Sequence, residues 1–323
     1  MDKDFENAVI DEFGKLRWQR FKVNHIKSHI FMCGGEVDGG KAIPPSLRDR
    51  LCSFSSVQEN KSVFNATILA ESFKDYFKEN IFNNLLMFED AIASISSVIL
   101  IFLESPGSLV EFGMFASRPE FYQKLIIVAP HQDIQKEDSF IFLGPLEHIK
   151  KHSESSVLVY PWPDNKIAKY DNEHLQDLYD HVNSKLQSIP KQSKFNKDES
   201  GHMSHLVYEI VRLSYPILFG EIEMALMALD LEQDQTQVRR HLYMLEKLNF
   251  IAKFIYGTYT FYYPLLDARK AIQFGKDKND RILDSLTIQM SINQSYVLNE
   301  TDQARKRRTA KKEIRKLLVE QQK

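Results

Sequence analysis

The 323 residues, 43% hydrophobic and 27% charged, have an ordinary globular composition, which excludes a fibrous or wholly disordered chain and, by length, favours two domains over one. The longest purely apolar run, Val98 to Leu103, is far shorter than the roughly 20 residues of a membrane helix; the acidic start MDKDFENAVIDEFGKLRW lacks a leader's apolar core, and Cys33 and Cys52 form no CxxC pair, so a cytoplasmic protein without a membrane segment is expected. The net charge of −2 hides an asymmetry, because residues 301–323 hold nine Lys/Arg against three Asp/Glu and leave about −8 on the rest, an acidic body with a basic tail suited to an anionic partner.

Short β-like blocks alternate with helical ones through the first half, the pattern of an α/β layer fold. HIFMCGG (29–35) reads as a first strand ending in a Gly-Gly turn. NATILAESFKDYFKENIFNNLLMFEDAIASIS (65–96) starts with a short strand and continues as a helix, with Phe73, Phe77, Ile81, Leu85 and Phe88 at helical spacing. SVILIF (97–102) is β-branched and apolar, as a central parallel strand should be. A turn, a helix near 109–117, a strand in KLIIVAP (124–130) and a last strand in SSVLVYPWP (155–163) follow. The expected fold over 1–163 is a Rossmann-like, flavodoxin-like parallel sheet with flanking helices.

Residues 164–203 turn polar, and SIPKQSKFNKDESGHMS has the composition of an exposed linker. Beyond it HLVYEIVRLS and PILFGEIEMALMAL read as two helices, and DQTQVRRHLYMLEKLNF as a third, with Asp234 as N-cap and Val238, Leu242, Leu245 and Leu248 on one face. IAKFIYGTYTFYYPL follows as a hairpin around a Gly-Thr turn. Three helices and a hairpin make a winged helix-turn-helix, assigned to 204–275. Residues 276–323 are a polar segment ending in a basic helix.

The stretch VILIFLESPGSLVEFGMF (98–115) holds one carboxylate of particular interest, Glu111. Ser108 and Glu111 are spaced S-x-x-E, a capping box at a helix N-terminus in which Glu111 is only a cap. Three features point instead to a ligand site. The segment follows the C-terminal end of a central strand, where open α/β sheets bind ligands. Pro106, Gly107 and Ser108 are small or pre-bent and leave room for a sugar or phosphate near a helix N-terminus. Gly113 and Ala116 would let the helix lie close to the sheet. A carboxylate in the first helical turn stays ionised, which suits a nucleophile attacking the anomeric carbon of a nucleoside. On these residues alone, cap and nucleophile both remain open. Gly34 and Gly35 likewise read as a tight turn or as backbone able to approach a phosphate.

IFMCGGEV (30–37), SSVILIFLESPGSLVEFGMFAS (96–117), KLIIVAP and FIFLGPLEHIKKHSESSVLVYP resemble the nucleoside 2-deoxyribosyltransferase family, and the whole chain resembles the effectors of type II retrons, bacterial anti-phage systems. The resemblance implies that Glu111 is the nucleophile, and that Gly34, Gly35, Glu36, Glu71, Glu89, Asp90, Ser105, Gly107 and Ser108 are the substrate-binding set, its acidic members orienting sugar hydroxyls. It further implies cleavage of an N-glycosidic bond without a separate cofactor. NAD is the favoured substrate, because its cationic nicotinamide leaves without a strong acid, and nucleosides or nucleotides come next. The implied partners are a reverse transcriptase and its branched RNA–DNA (msDNA), which hold a toxin inactive, with higher-order assembly left open. The alternative is a nucleotide-sensing protein or winged-helix regulator in which Glu111 is only a cap.

If the third helix of the winged region reads nucleic acid, Gln235, Gln237, Arg239, Arg240 and His241 are placed to do so. Residues 204–264 nevertheless hold five Lys/Arg against seven Asp/Glu, too acidic for a duplex binder that relies on phosphates. Docking on protein or structured RNA–DNA is therefore favoured, with Arg305, Arg307, Arg308, Lys311 and Lys312 of the tail supplying positive charge. His148 and His152 in HIKKH have ligand spacing but no third partner nearby, and His202 and His205 fall in an expected loop, so no metal site is expected. No Walker, GxGxxG or HExxH pattern occurs.

Overall fold

The computed structural model describes residues 4–73, 81–134, 142–164, 167, 169–265, 269–282, 284–297 and 299–320. In chain order its elements are α1 (Phe5–Gly14), β1 (Lys22–Asn24), β2 (Ile30–Cys33), α2 (Leu47–Val57), α3 (Ser62–Ala66), β3 (Thr67–Ile68), α4 (Leu85–Ile95), β4 (Val98–Phe102), α5 (Pro106–Ala116), β5 (Leu125–Pro130), α6 (His131–Ile134), α7 (Glu147–His152) and β6 (Val157–Tyr160). They continue with α8 (Asn172–Ser188), β7 (Gln192–Lys194), α9 (Ser200–Ser214), α10 (Phe219–Ala228), α11 (Gln235–Lys247), β8 (Ile251–Tyr256), β9 (Tyr259–Pro264), β10 (Ile272–Gln273), α12 (Ser285–Val297) and α13 (Asp302–Glu320). The chain divides into two compact units, one of Lys27–Asp75 and Leu85–Ile189, the other of Met1–Ile26, Tyr76–Asn84 and Pro190–Lys323.

In the first unit five parallel strands lie in the order β3-β2-β4-β5-β6. Numbered within the unit this is second-first-third-fourth-fifth, the flavodoxin-like winding expected from the sequence. Every residue of β4 and β5 is buried, as their unbroken apolar runs require of strands covered on both faces. Ile30, Met32, Val98, Leu100 and Phe102 share one core with Leu47 and Leu51 of α2 and Leu175, Leu178, Tyr179 and Val182 of α8. The alternate residues serve the opposite face, where Phe31 meets Phe115 of α5 with ring centroids 6.1 Å apart and Phe115 meets Phe121 at 5.7 Å. Each such wholly buried side chain contributes about 1.5–3 kcal/mol. The winding reverses between β2 and β4, so their C-terminal ends open the crevice in which this fold class binds ligands.

Two expectations change here. The single helix through Phe73, Phe77, Ile81, Leu85 and Phe88 does not form: Ala70–Phe73 is a 3-10 turn, residues 81–84 are not helical, and α4 starts only at Leu85. Phe77 lies outside the described residues. Asn83 and Asn84 are poor helix interiors because their amides compete for backbone groups, while Phe73 and Phe88 pack edge-on at 5.8 Å from separate elements. The polar stretch 164–203 is not all loop either. It contains the 17-residue α8, whose apolar side chains sit in the sheet core although its outer face is charged, and β7, which pairs with β1.

In the second unit α9 is nearly enveloped, with residues 201–214 all buried. Its Glu209, fully buried, pairs with Arg212 at 2.7 Å and accepts the Ala271 amide at 2.9 Å, so this buried charge is fully partnered. His202 and His205 lie in this helix rather than in a loop. β1, β7 and β10 make a small antiparallel sheet. α9, α10, α11 and the β8–β9 hairpin follow in the order of a winged helix, and Gly257 turns the hairpin at φ +61°, a left-handed conformation that glycine adopts without strain. This arrangement is compatible with the expected winged helix-turn-helix.

Candidate active site

The crevice at the ends of β2 and β4 is built by the turn into α5. Ser105 is the N-cap: its Oγ accepts the Ser108 amide at 3.1 Å, and Ser108 Oγ accepts the Ser105 amide at 3.1 Å, with Pro106 in the first helical position. The capping box is therefore Ser105–Ser108, not the expected Ser108–Glu111. α5 starts three residues earlier than read from the sequence, which places Glu111 in the second turn and frees it from any capping role. Gly113 does not serve close packing, since a Cβ there would meet nothing within 4 Å; Phe112, Phe115 and Ala116 are the residues turned inward.

Glu111, half-buried, joins Cys33 at the end of β2, Glu89 of α4, Glu71 and Arg48 of α2. Burial raises the Glu111 carboxyl above the usual range, the nearby Arg48 charge and a hydrogen bond from the Cys33 thiol pull it back, and Glu71 pushes it up again. Glu89, 5% exposed, is pushed up to about 7, first by burial and then by Glu111 and Glu71. The buried Cys33 thiol is raised by burial and by both carboxylates, so it stays protonated and donates to Glu111. One carboxylate is thus steadied by a cation and a thiol, while its neighbour holds a proton near neutral pH. Such a split between two acids suits general acid–base work.

Sequence reasoning overlooked Arg48 and Glu104. Arg48 is 2% exposed and binds Glu71 through two parallel hydrogen bonds, Nη1–Oε1 2.7 Å and Nη2–Oε2 2.8 Å, with Nη1 also donating to Gly35 O at 3.0 Å. Glu104, between β4 and the Ser105 cap, accepts the amides of Gly35 (2.9 Å), Leu47 (2.9 Å) and Arg48 (3.2 Å). Burial raises its carboxyl, opposed by those three donors. The amide of Gly35 and the N-terminus of α2, the natural anion cradle of this turn, are filled by the protein's own carboxylate. Gly34 and Gly35 are needed for that close approach: a Cβ on Gly35 would lie 2.8 Å from Ser46 Cβ and 3.1 Å from Glu104 Cδ. The only available signal was position, an acid directly after a central strand.

A profile of the STM3845 retron effector protein matches residues 44–253. The chain belongs to that family. Two Escherichia coli relatives are each 29% identical to this effector. "Retron Ec86 putative ribosyltransferase/DNA-binding protein" aligns over 177 residues, 54% of this chain and 55% of its own length; "Retron Ec73 putative ribosyltransferase/DNA-binding protein" aligns over 201 residues, 60% and 62%. The chain thus spans about three-fifths or less of the relatives it matches.

The remaining sequence candidates of this retron effector are placed variously. Glu36 is exposed and pairs with Lys41 at 2.8 Å, and Asp90 pairs with Arg118 rather than joining the acid group. Gly107 is exposed at the helix start. In the second unit Gln235, Gln237 and Arg239 are exposed on α11. His241 is buried against the Ser204 hydroxyl (2.8 Å) and pushed down to about 4 by burial and by Arg240, so it is not placed to read nucleic acid. Arg240 donates to Ile81 O at 3.0 Å. Of the basic helix, Arg307 is buried between Glu221 and the Phe5 ring (3.5 Å to its centroid), and Lys311 donates to Tyr215 O at 2.8 Å. Arg308 donates to Tyr296 O and Asn299 O, and Arg305 to Glu300 O; Lys312 is exposed. His148 Nε2 meets Tyr122 Oη at 2.8 Å, and no group of three His, Cys, Asp or Glu able to hold a metal occurs among the described residues. No helix among the described residues is long and apolar enough to cross a membrane.

Proposed function

We propose that this retron effector is an N-glycosidase whose nucleophile is Glu111, with NAD the favoured substrate and nucleosides or nucleotides next. The observation that carries the reading is the release of Glu111 from capping by the Ser105–Ser108 box, which leaves its carboxylate beside Glu89 in the crevice between β2 and β4. Glu111 attacks the anomeric carbon as the N-glycosidic bond breaks, forming a glycosyl ester and releasing the base. Nicotinamide departs neutral because it was cationic in NAD; for an uncharged base, protonated Glu89 supplies the proton. Water then attacks the ester and Glu111 leaves as carboxylate. The water's proton passes to ionised Glu89, which has given its own proton to an uncharged base or, with NAD, starts in the ionised fraction that a pKa of about 7 allows. Glu71, held by Arg48 near Glu111, is assigned to the sugar hydroxyls. A transferase would use a second base in place of water.

Restraint by a reverse transcriptase and its RNA–DNA product belongs to the same reading, as does a cytoplasmic location. The exposed residues Gln235, Gln237 and Arg239 of α11 and Lys312 of α13 are the contacts we assign to that partner, since Arg307 and Lys311 are engaged within the fold.

The test is base release from NAD and a nucleoside and nucleotide panel, followed by chromatography, for the chain alone and with its reverse transcriptase complex. Release by wild type that disappears in Glu111→Gln is expected. Equal release by both forms would overturn Glu111 as the nucleophile, and ligand binding without turnover in any combination would overturn the reading in favour of a nucleotide sensor.

A further inference from the structure

We propose that Glu104 is a positioning residue: its carboxylate fills the amide cradle at the start of α2 and thereby holds Arg48 beside Glu111. The inference rests on the proposed role of Glu111 but is testable without turnover.

The geometry is a closed relay. Glu104 leaves the end of β4 and accepts three amides, one from the turn after β2 and two from the first turn of α2. The same two segments are tied a second time by Arg48, whose guanidinium returns to Gly35 O. Arg48 thus gives its amide to Glu104 and its side chain to Gly35 and Glu71. The segment carrying Glu104 runs directly into the Ser105 cap and α5, which carries Glu111. One carboxylate therefore sets the distance between the helix bearing the cation and the helix bearing the nucleophile. It also excludes a substrate phosphate from this cradle, since all three amide protons are taken; a substrate must be held by other groups.

A charge that only sat nearby would act on Glu111 directly, and removing it would lower the Glu111 titration midpoint. Loss of positioning acts in the opposite sense: Arg48 withdraws its stabilisation of the carboxylate, and the midpoint rises. The sign separates the two.

The experiment follows Glu111 by 13C NMR of glutamate-labelled full-length protein, assigned with Glu111→Gln, in wild type and in Glu104→Gln. A midpoint raised by about one pH unit, tenfold in proton affinity, is expected, with any pH profile of base release shifted the same way. An unchanged or lowered midpoint in a folded Glu104→Gln protein overturns the inference. Should Glu104→Gln fail to fold, Glu104→Asp carries the same measurement, because it keeps the charge but withdraws the acceptors by one methylene; a smaller rise is then expected. A wild type that turns over nothing would defeat the glycosidase reading while leaving the titration result to decide this one.

Discussion

Arg48 and Glu71 meet in a two-pronged ion pair of 2.7 and 2.8 Å although the Arg48 side chain is 2% exposed and that of Glu71 is 55% exposed. The pair links a buried cation to an anion open to solvent, beside two further carboxylates. Glu71 raises both Glu89 and Glu111. Glu71→Gln should lower both titration midpoints, so that Glu89 deprotonates below its present value of about 7. NMR titration of the labelled glutamates checks this; a midpoint for Glu89 that stays put would show that burial and Glu111 set it without Glu71.

Glu89 also makes stability depend on pH. Its folded-state pKa, about 7, stands above the ordinary 4.5. Below pH 4.5 the group is neutral in both states and has no effect. As pH rises toward 7 the unfolded chain ionises first, and the folded state loses at most about 3 kcal/mol, fully by pH 8. Denaturant titrations between pH 5 and 8 should show this decline in wild type and its loss in Glu89→Gln. Reactions that need protonated Glu89 should fade above pH 7.

Gly35→Ala should destabilise by about 1–3 kcal/mol, because its Cβ would meet Ser46 and Glu104 in a packed site. Gly113→Ala, at a helix position with open space, should be neutral or slightly stabilising. Thermal melts of the two variants side by side test the contrast; equal behaviour would mean that the turn yields.

Arg307→Ala leaves Glu221 buried without its cation, which costs about 3–5 kcal/mol. Lys312→Glu changes an exposed side chain and should leave the melt unmoved while, on the proposed reading, weakening association with a reverse transcriptase complex. Denaturation and co-purification, read together, separate a structural arginine from an interfacial lysine.

The sheet was legible because β2, β4 and β5 are continuous apolar runs that no exposed element would carry. Glu111 was singled out by its place after such a run. Its supports were not: Arg48 and Glu104 meet across 56 residues of sequence, and no local spacing encodes that pairing. α8 was hidden for a related reason, since only its inner face is apolar. The tail's charge count overstated its reach at Arg307 and Lys311, because counts ignore burial and these two are spent on carbonyl, carboxylate and aromatic partners within the fold.

The pairing of Phe5 with Arg307 has a consequence for biosynthesis. One unit is assembled from Met1–Ile26, Tyr76–Asn84 and Pro190–Lys323, whereas the sheet unit draws only on Lys27–Asp75 and Leu85–Ile189. A ribosome therefore delivers every strand around Glu111 before the helix that shelters Glu221 has been made. Because domains fold as units while the chain emerges, the acid group is assembled on the nascent chain. Phe5, made long before Arg307, waits for that helix before its own core can close.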